Sequence, residues 1–442
     1  MGKQICDDFV SACATSARGQ STTLSLVDLA ELSHTVPSTL TSFSKSISSL
    51  VTNKEYKTVS DARNLSREFA PSTRIDQVDL IDLCTRMDTA ESKALASALN
   101  GAIKYNRSGS MTNAYGLSVY FPYRKLSNVD KALSTYRQLG MDETYSAAIR
   151  DFASVELSGQ HSTSYPSNPL ESIFSAASMQ PAQSSSSQDM ISDLLGAFLG
   201  GGSSSRSGLD FFSGRSLSNE TLTSFVQANH LDPARLVFVS QENGDQTLTL
   251  APEEWAQITG AEQNVFFDDG SGYIDLGLDN VYSFDSEGRM IATADGAWIT
   301  VNGQFVAYYH ESTEDDGEHW ANHGRIPVLF NGEPANLLVT FDEEHPSGAI
   351  TGVRFEYTDE TDTVAKSVID LEEGDLIQFL CDYYTYDKEY QSSHIIGEPL
   401  TWNADVTMSA SYIEDPSKVL LTYMFTDIYQ NEYWTGPLAI RR

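Results

Sequence analysis

Four cysteines and eight histidines are the groups from which this 442-residue chain would build nucleophilic or metal chemistry. A thiol attacks when a neighbouring base or positive field lowers its pKa and the end of a strand presents it. Cys13 and His34 are the candidate pair, with the thiol first in chain order. Cys13 falls on a segment of helical periodicity and His34, between Ser33 and Thr35, reads as a polar loop residue, so both are read as structural. Cys6 and Cys13 stand seven apart on that helix, roughly 10 Å by helical rise and beyond disulfide reach. Cys84 reads as helical or core-facing. Cys381 lies among apolar and aromatic residues, where burial raises a thiol pKa. Four cysteines in so long a chain make neither a disulfide framework nor a CxxC metal site. No catalytic, cofactor-binding or metal-ligating residue is assigned.

The remaining polar constellations invite ligand readings. His323-Gly324, His310, Glu311, His319 and the acidic run Glu314-Asp315-Asp316 crowd one stretch, yet no HExxH or HxH pairing occurs. The stretch between Tyr309 and Ile326 reads as a long polar loop. Calcium is the one cofactor left open, because hard oxygen ligands need only be brought together. Asp268-Asp269-Gly270-Ser271-Gly272-Tyr273-Ile274-Asp275 resembles part of an EF-hand loop, but aligning Gly272 with the loop's glycine puts Phe267 and Leu278 at ligand positions. A glycine-rich hairpin turn accounts for it better. Tyr383, Tyr384, Tyr386, Tyr390, Trp402 and Trp434 would form either a recognition face for carbohydrate or protein, or the cross-strand packing more usual for aromatics in sheets.

The elements that must position these residues fall into three stretches. Residues 1–160 alternate helical and strand-like patterns, an α/β arrangement. Ile5, Phe9 and Cys13 mark one helix face, Thr22 to Leu29 a β-rich run, and Val36, Leu40, Phe43, Ile47 and Leu50 a second helix. Further helices are expected at Val59 to Phe69, at Ala90 to Ile103 and after an Asn128 N-cap, with a buried strand from Gly116 to Phe121. So few strands fall short of a doubly wound sheet, and an N-terminal portion is expected to be missing. Residues 161–217 read as a Ser/Gly-rich linker, with the runs Ser184 to Ser187 and Gly200 to Ser205 and a short apolar helix over Met190, Ile191, Leu194, Leu195, Phe198 and Leu199. Residues 218–442 carry one brief helix, Leu222 to Ala228, and then short β-branched and aromatic runs. Leu236 to Val239, Trp298 to Tyr309, Leu337 to Phe341, Val353 to Tyr357 and Val419 to Phe425 are the clearest, an all-β sandwich-like pattern.

The charge is uneven. Residues 1–160 hold 17 basic and 17 acidic side chains, whereas 11 basic and 44 acidic residues follow. That field repels phosphate backbones and anionic lipid, which argues against nucleic acid or bare membrane as partner. There is no signal-like leader in this chain and no apolar run of about 20 residues to span a bilayer.

Several stretches resemble the clostripain family of bacterial cysteine peptidases, relatives of gingipains and caspases. Gly2-Lys3-Gln4-Ile5-Cys6-Asp7-Asp8-Phe9 resembles the helix after the family's catalytic-cysteine region, and Thr23-Leu24-Ser25-Leu26-Val27-Asp28-Leu29 the next strand. Asp76-Gln77-Val78-Asp79-Leu80-Ile81-Asp82-Leu83 and Ala114-Tyr115-Gly116-Leu117-Ser118-Val119-Tyr120-Phe121-Pro122-Tyr123 resemble later landmarks, the last being the most specific. Gly272 to Asn280 and Leu371 to Asp375 are similar to the β-rich extension of many members. The resemblance implies a partial caspase-like α/β domain from a secreted or cell-surface peptidase. In such an enzyme a thiolate attacks the peptide carbonyl, a histidine moves the proton and an acidic pocket selects Arg or Lys. The family's His-Gly and nucleophilic Cys would lie upstream of Met1, so this chain alone is expected to be inactive. The competing expectation is a non-catalytic secreted binding module that recognises protein or glycan through its β-rich part.

Overall fold

Aspartates and threonines start the helices of the first part of the chain by taking the amides that a first turn leaves unpaired. The computed structural model describes residues 1–16, 22–70, 74–109, 111–161, 168–178, 195, 199, 209–315, 319–355, 368–387 and 389–440. Its helices up to Ser178 are α1 (Gly2–Ser16), α2 (Leu29–Thr52), α3 (Tyr56–Leu65), α4 (Leu80–Met87), α5 (Ala90–Ala102), α6 (Val129–Gln138), α7 (Glu143–His161) and α8 (Pro169–Ser178). Asp28 caps α2, Asp79 caps α4, and Thr89 with Ser92 forms a reciprocal capping box on α5. Among these helices lie two small antiparallel sheets. One pairs β1 (Thr23–Val27) with β4 (Ile103–Ser108); the other orders β2 (Glu68–Phe69), β3 (Gln77–Asp79) and β5 (Ser118–Tyr120). The mixed α/β composition and the β-rich C-terminal region agree with the sequence.

Several local expectations need correction. Helix α1 buries Cys6 and Val10, while Ile5 and Phe9 remain 57% and 45% exposed, so the apolar face read from Ile5, Phe9 and Cys13 is not the packed one. Two apolar stripes compete on this helix, and only the one meeting β1 and β4 is covered. His34 is not in a loop. The Asp28 cap starts α2 six residues earlier, which leaves His34 exposed on the helix surface. In α2 itself Val36, Phe43 and Ile47 are buried as their spacing requires. The helix expected to reach Phe69 stops at Leu65, because Glu68 and Phe69 pair with Val78 and Gln77. Asn128 makes no side-chain cap bond.

The β-rich part begins with β6 (Val239–Ser240) and β7 (Gln246–Leu248), followed by β8 (Ile258–Asp268), β9 (Gly272–Asp279), β10 (Tyr282–Phe284) and β11 (Met290–Ala292). Next come β12 (Ala297–Val301), β13 (Gln304–Phe305), β14 (Tyr308–Asp315), β15 (Trp320–Phe330), β16 (Glu333–Asp342) and β17 (Ala349–Phe355). β18 (Val368–Ile369), β19 (Leu376–Thr385), β20 (Tyr390–Thr401), β21 (Met408–Tyr412), β22 (Val419–Asp427) and β23 (Glu432–Trp434) complete it. An 11-stranded sheet runs β18-β17-β16-β15-β14-β9-β8-β22-β23, with β19 pairing β15, β9 and β20 off that path. A four-stranded sheet, β10-β11-β7-β6, and a three-stranded one, β13-β12-β21, accompany it. All three sheets contribute to one apolar core that includes Leu248, Met290, Val301, Ile326, Leu337, Phe379 and Tyr423.

The stretch expected as a polar loop between Tyr309 and Ile326 is a long hairpin. β14 and β15 pair from Tyr309 opposite Arg325 to Asp315 opposite Trp320, with a bulge between His310 and Ser312. Gly324 hid the alternation, because it occupies a buried position in the row that continues through Ile326, Val328 and Phe330. A Cβ there would lie 2.3 Å from the Tyr308 ring.

The stretch read as a linker contributes packed pieces to both cores. Helix α8 buries Leu170 and Ile173 against Phe266 and Tyr384 of the large sheet. Leu195, Leu199, Phe211, Phe212 and Leu217 join the core of the α/β unit, as do Leu222, Phe225 and Val226 of the helix Asn219–Ala228. The serine and glycine runs, with Met190, Ile191, Leu194 and Phe198 of the expected apolar helix, lie outside the described residues. Ile428 and Tyr429, just past β22, also enter that first core and join the two units.

Candidate functional site

Cys6, Cys84 and Cys381 are buried and Cys13 is half-buried, all as free thiols. Burial pushes Cys84 up to about 12, helped by the charge of Asp79; burial does the same to Cys381, helped by Asp275 and Asp382. Helix α1, carrying Cys13, packs on β1 and β4, whereas α2, carrying His34, packs on α3, α5 and α7. The structure adds a Cys-His neighbour pair that chain order did not suggest: Cys381 of β19 stands opposite His394 of β20. The thiol donates to the His394 carbonyl at 3.5 Å while the imidazole stacks on Tyr383 at 4.5 Å, so the ring is not held as a base for it.

The carboxylate and histidine candidates are mostly spent on the protein itself. In the β8–β9 turn, Asp269 accepts the Ser271 and Gly272 amides at 2.7 and 2.9 Å, and Asp268 accepts Gly270 N at 2.8 Å. This is the hairpin turn expected from its glycines, with Gly270 at φ +93°. Glu311 meets Arg325 at 3.5 Å and Arg354 at 2.9 Å. Glu314 pairs with Arg67 of the α/β unit at 3.3 Å. His310 reaches the Thr313 hydroxyl at 3.2 Å, and His323 reaches that of Thr340 at 3.1 Å. Burial lowers both imidazoles, His310 to about 4, with further repulsion from His323. No group of three or more His, Cys, Asp or Glu side chains that could hold a metal occurs among the described residues, and no described helix is long and apolar enough to cross a membrane.

The most constrained polar architecture was not singled out as a site in the sequence. It joins Asp76 to Leu83 with the backbone of residues 115–125. Asp79 accepts Ile81 N and Asp82 N on one oxygen and Tyr115 N and Gly116 N on the other, at 2.7 to 3.1 Å. Asp76 accepts Arg124 N at 2.9 Å, Lys125 N at 3.1 Å and the Arg63 guanidinium at 3.0 Å. Arg63, 1% exposed, also donates to the Phe121 carbonyl at 3.0 Å and to Glu68 at 3.3 Å, with its guanidinium 5.1 Å from the Tyr123 ring centroid. Burial raises the Asp76 pKa against the pull of Arg63, and it raises Asp79 against its amide donors. Asp-x-x-Asp before an apolar helix start was the available signal, though only the fold reveals the distant amides that each carboxylate accepts.

A second polar group is sealed between the units. Glu156 of α7 is wholly buried, accepts a hydrogen bond from Tyr56, and has its pKa pushed well up by burial, with Asp427 and Asp76 adding to the rise. Tyr56 stacks on Phe152 at 4.7 Å and on Tyr429 at 6.1 Å. Gly159 is required beneath Tyr429, since a Cβ there would lie 2.2 Å from that ring. Such hydrogen-bonded polar groups sealed from solvent stiffen a scaffold.

The six aromatics divide. Tyr383 and Tyr384 are buried, Trp402 and Trp434 are half-buried, and Tyr386 and Tyr390 are 50% and 57% exposed. Tyr384 packs against Phe266 at 6.0 Å and Tyr390 at 5.4 Å, the expected cross-strand arrangement. No protein-family model, curated protein or solved structure matches this chain.

Proposed function

We propose that this chain is the C-terminal scaffold of a secreted or cell-surface clostripain-like cysteine endopeptidase, and that the catalytic His and Cys belong to a preceding segment. On this reading the α/β unit is the second half of a caspase-like domain, and the β-rich unit is a sandwich-like accessory domain. The complete enzyme cleaves polypeptides at Arg or Lys, while this chain alone is inactive. The observation that carries the reading is the apolar surface left open beside a two-stranded sheet: Ile5 and Phe9 on α1, with Leu26 on β1 at 41% exposure. Surface of that kind matches an α/β layer that lacks further strands. The bonding of Asp79 to the Tyr115 and Gly116 amides, which ties the two landmark stretches together, supports it as well.

The test compares this chain with a version extended by its upstream coding sequence, assayed on Arg- and Lys-containing peptides with reductant and calcium. Cleavage by the extended protein only is the expected result. Cleavage by the short chain that vanishes with Cys13→Ala or His34→Ala, or an extended protein without activity, would sink the proposal. A second reading, favoured by the exposed rings of Tyr386 and Tyr390, is a non-catalytic module that recognises protein or glycan through the β-rich unit.

A further inference from the structure

At one end of the large sheet, aromatic side chains cross from strand to strand. Tyr390 of β20 packs on Tyr384 of β19, and Tyr384 stands directly opposite Tyr273 of β9. Tyr273 meets Tyr386 edge to face at 5.6 Å and Phe174 of α8 at 6.2 Å. Helix α8 covers the middle of this row through Leu170 and Ile173. Left in solvent are Tyr386, Tyr390 and Phe174, the last 38% exposed.

Carboxylates border these rings. Asp268 accepts the Tyr386 hydroxyl at 2.5 Å and Asp382 accepts that of Tyr390 at 3.1 Å; Asp387 and Glu389 are exposed between the two tyrosines in sequence, on either side of Lys388, which lies outside the described residues. The phenol of Tyr386 is pushed up to about 12 by that hydrogen bond, so it stays a neutral ring.

The unit supplies little counter-charge. Residues 218–442 hold 40 Asp and Glu against 9 Lys and Arg. Its described basic side chains are engaged elsewhere: Arg235 with Glu254, Arg289 with Asp285, Arg325 and Arg354 with Glu311, and Lys418 over Phe267. Among the described residues no ion pair forms to Asp268, Asp269, Asp387 or Glu389.

We propose that this aromatic and acidic end of the sheet, centred on Tyr386 and Tyr390, docks a Lys/Arg-rich polypeptide segment. Charge complementarity selects the occupant. Flat neutral phenols beside carboxylates give a cation both a ring face and a counter-ion, and guanidinium groups stack on such rings. A neutral sugar would stack on the rings and donate hydroxyls to the carboxylates, but it would not neutralise the negative charge gathered there. The inference rests on the second reading above and does not depend on the peptidase reading.

The experiment titrates a labelled oligo-arginine peptide and, separately, a neutral cello-oligosaccharide into the full chain. Tyr386→Ala/Tyr390→Ala should weaken peptide binding about tenfold. Asp387→Asn/Glu389→Gln should reduce its salt dependence, and Tyr412→Ala, at a 62% exposed tyrosine on β21, should leave it unchanged. Peptide binding that ignores the tyrosine pair, or that falls equally with Tyr412→Ala, overturns the site. Sugar binding without peptide binding overturns the inference and leaves the second reading standing; binding of neither overturns both.

Discussion

In the α/β unit the strands run from two to six residues, and β3 is tied to its surroundings largely by the Asp76 and Asp79 carboxylates and the buried Arg63. In the β-rich unit strands reach twelve residues, and the large sheet closes over an apolar core of Val, Ile, Leu and aromatic side chains. Short strands bury too little surface and form too few ladder bonds to set their own register. Directed hydrogen bonds to buried charges supply the specificity instead. A long strand with alternating burial, as β15 has from Gly324 to Phe330, sets its own register, since a one-residue slip would turn its apolar row to the wrong face.

The largest expected effect breaks the electrostatic side of this contrast. Arg63→Ala leaves Asp76 and Glu68 buried without their cation and is expected to cost about 3–5 kcal/mol, read from denaturant midpoints. A loss no larger than that of the exposed Arg137→Ala would show that the charges do not organise the unit.

The next effect separates seam from sheet. Gly159→Ala and Gly324→Ala each force a Cβ into an aromatic ring, of Tyr429 and Tyr308 respectively, at an expected cost of about 1–3 kcal/mol. Gly159→Ala should divide thermal unfolding into two transitions by parting the units, whereas Gly324→Ala should lower the transition of the β-rich unit. The same single, uniformly lowered transition in both variants would erase the distinction.

Titration sharpens the comparison further. Asp275 in the large sheet is raised to about 7 by burial, with Asp382 opposite it adding to the rise. Its contribution is fully present below the unfolded carboxylate value of about 3.9 and is lost as pH rises through about 7. His310, lowered to about 4, contributes stability that is present above about 6.5 and lost as pH falls through about 4. Asp275→Asn should therefore remove a downward slope of up to about 1.4 kcal/mol per pH unit between these limits. An unchanged slope would mean that Asp275 is ionised throughout.

The smallest effect is expected at His34. It is exposed on α2, and His34→Ala should change stability by no more than about 0.5 kcal/mol in the same unfolding measurements. A loss well beyond that would assign it a partner.

Long amphipathic elements were legible in the sequence. Val36, Phe43 and Ile47 repeat at helical spacing, and Leu337 to Phe341 and Val419 to Phe425 fall within long strands of the large sheet. The turn at Gly270 and the inert setting of Cys381 were also legible, because glycine pattern and apolar neighbours act locally. The β14–β15 hairpin was not. Its polar residues run consecutively from His310 to Asp315 and again through Asn322 and His323, which hides the period of two, and Gly324 contributes no side chain to mark the buried row.

By itself the sequence determined the α/β-then-β order, the acidity of the second half and the lack of CxxC or HExxH spacing, since each follows from composition or near-neighbour spacing. Only the tertiary structure decided which face of α1 packs and that residues 209–228 join the first core. It alone set Tyr429 over Gly159 and brought Asp76 and Asp79 to the backbone of residues 115–125. Those contacts join residues tens to hundreds of positions apart. A buried carboxylate is stabilised by amides that chain folding delivers, and local spacing carries no record of which distant amides they are.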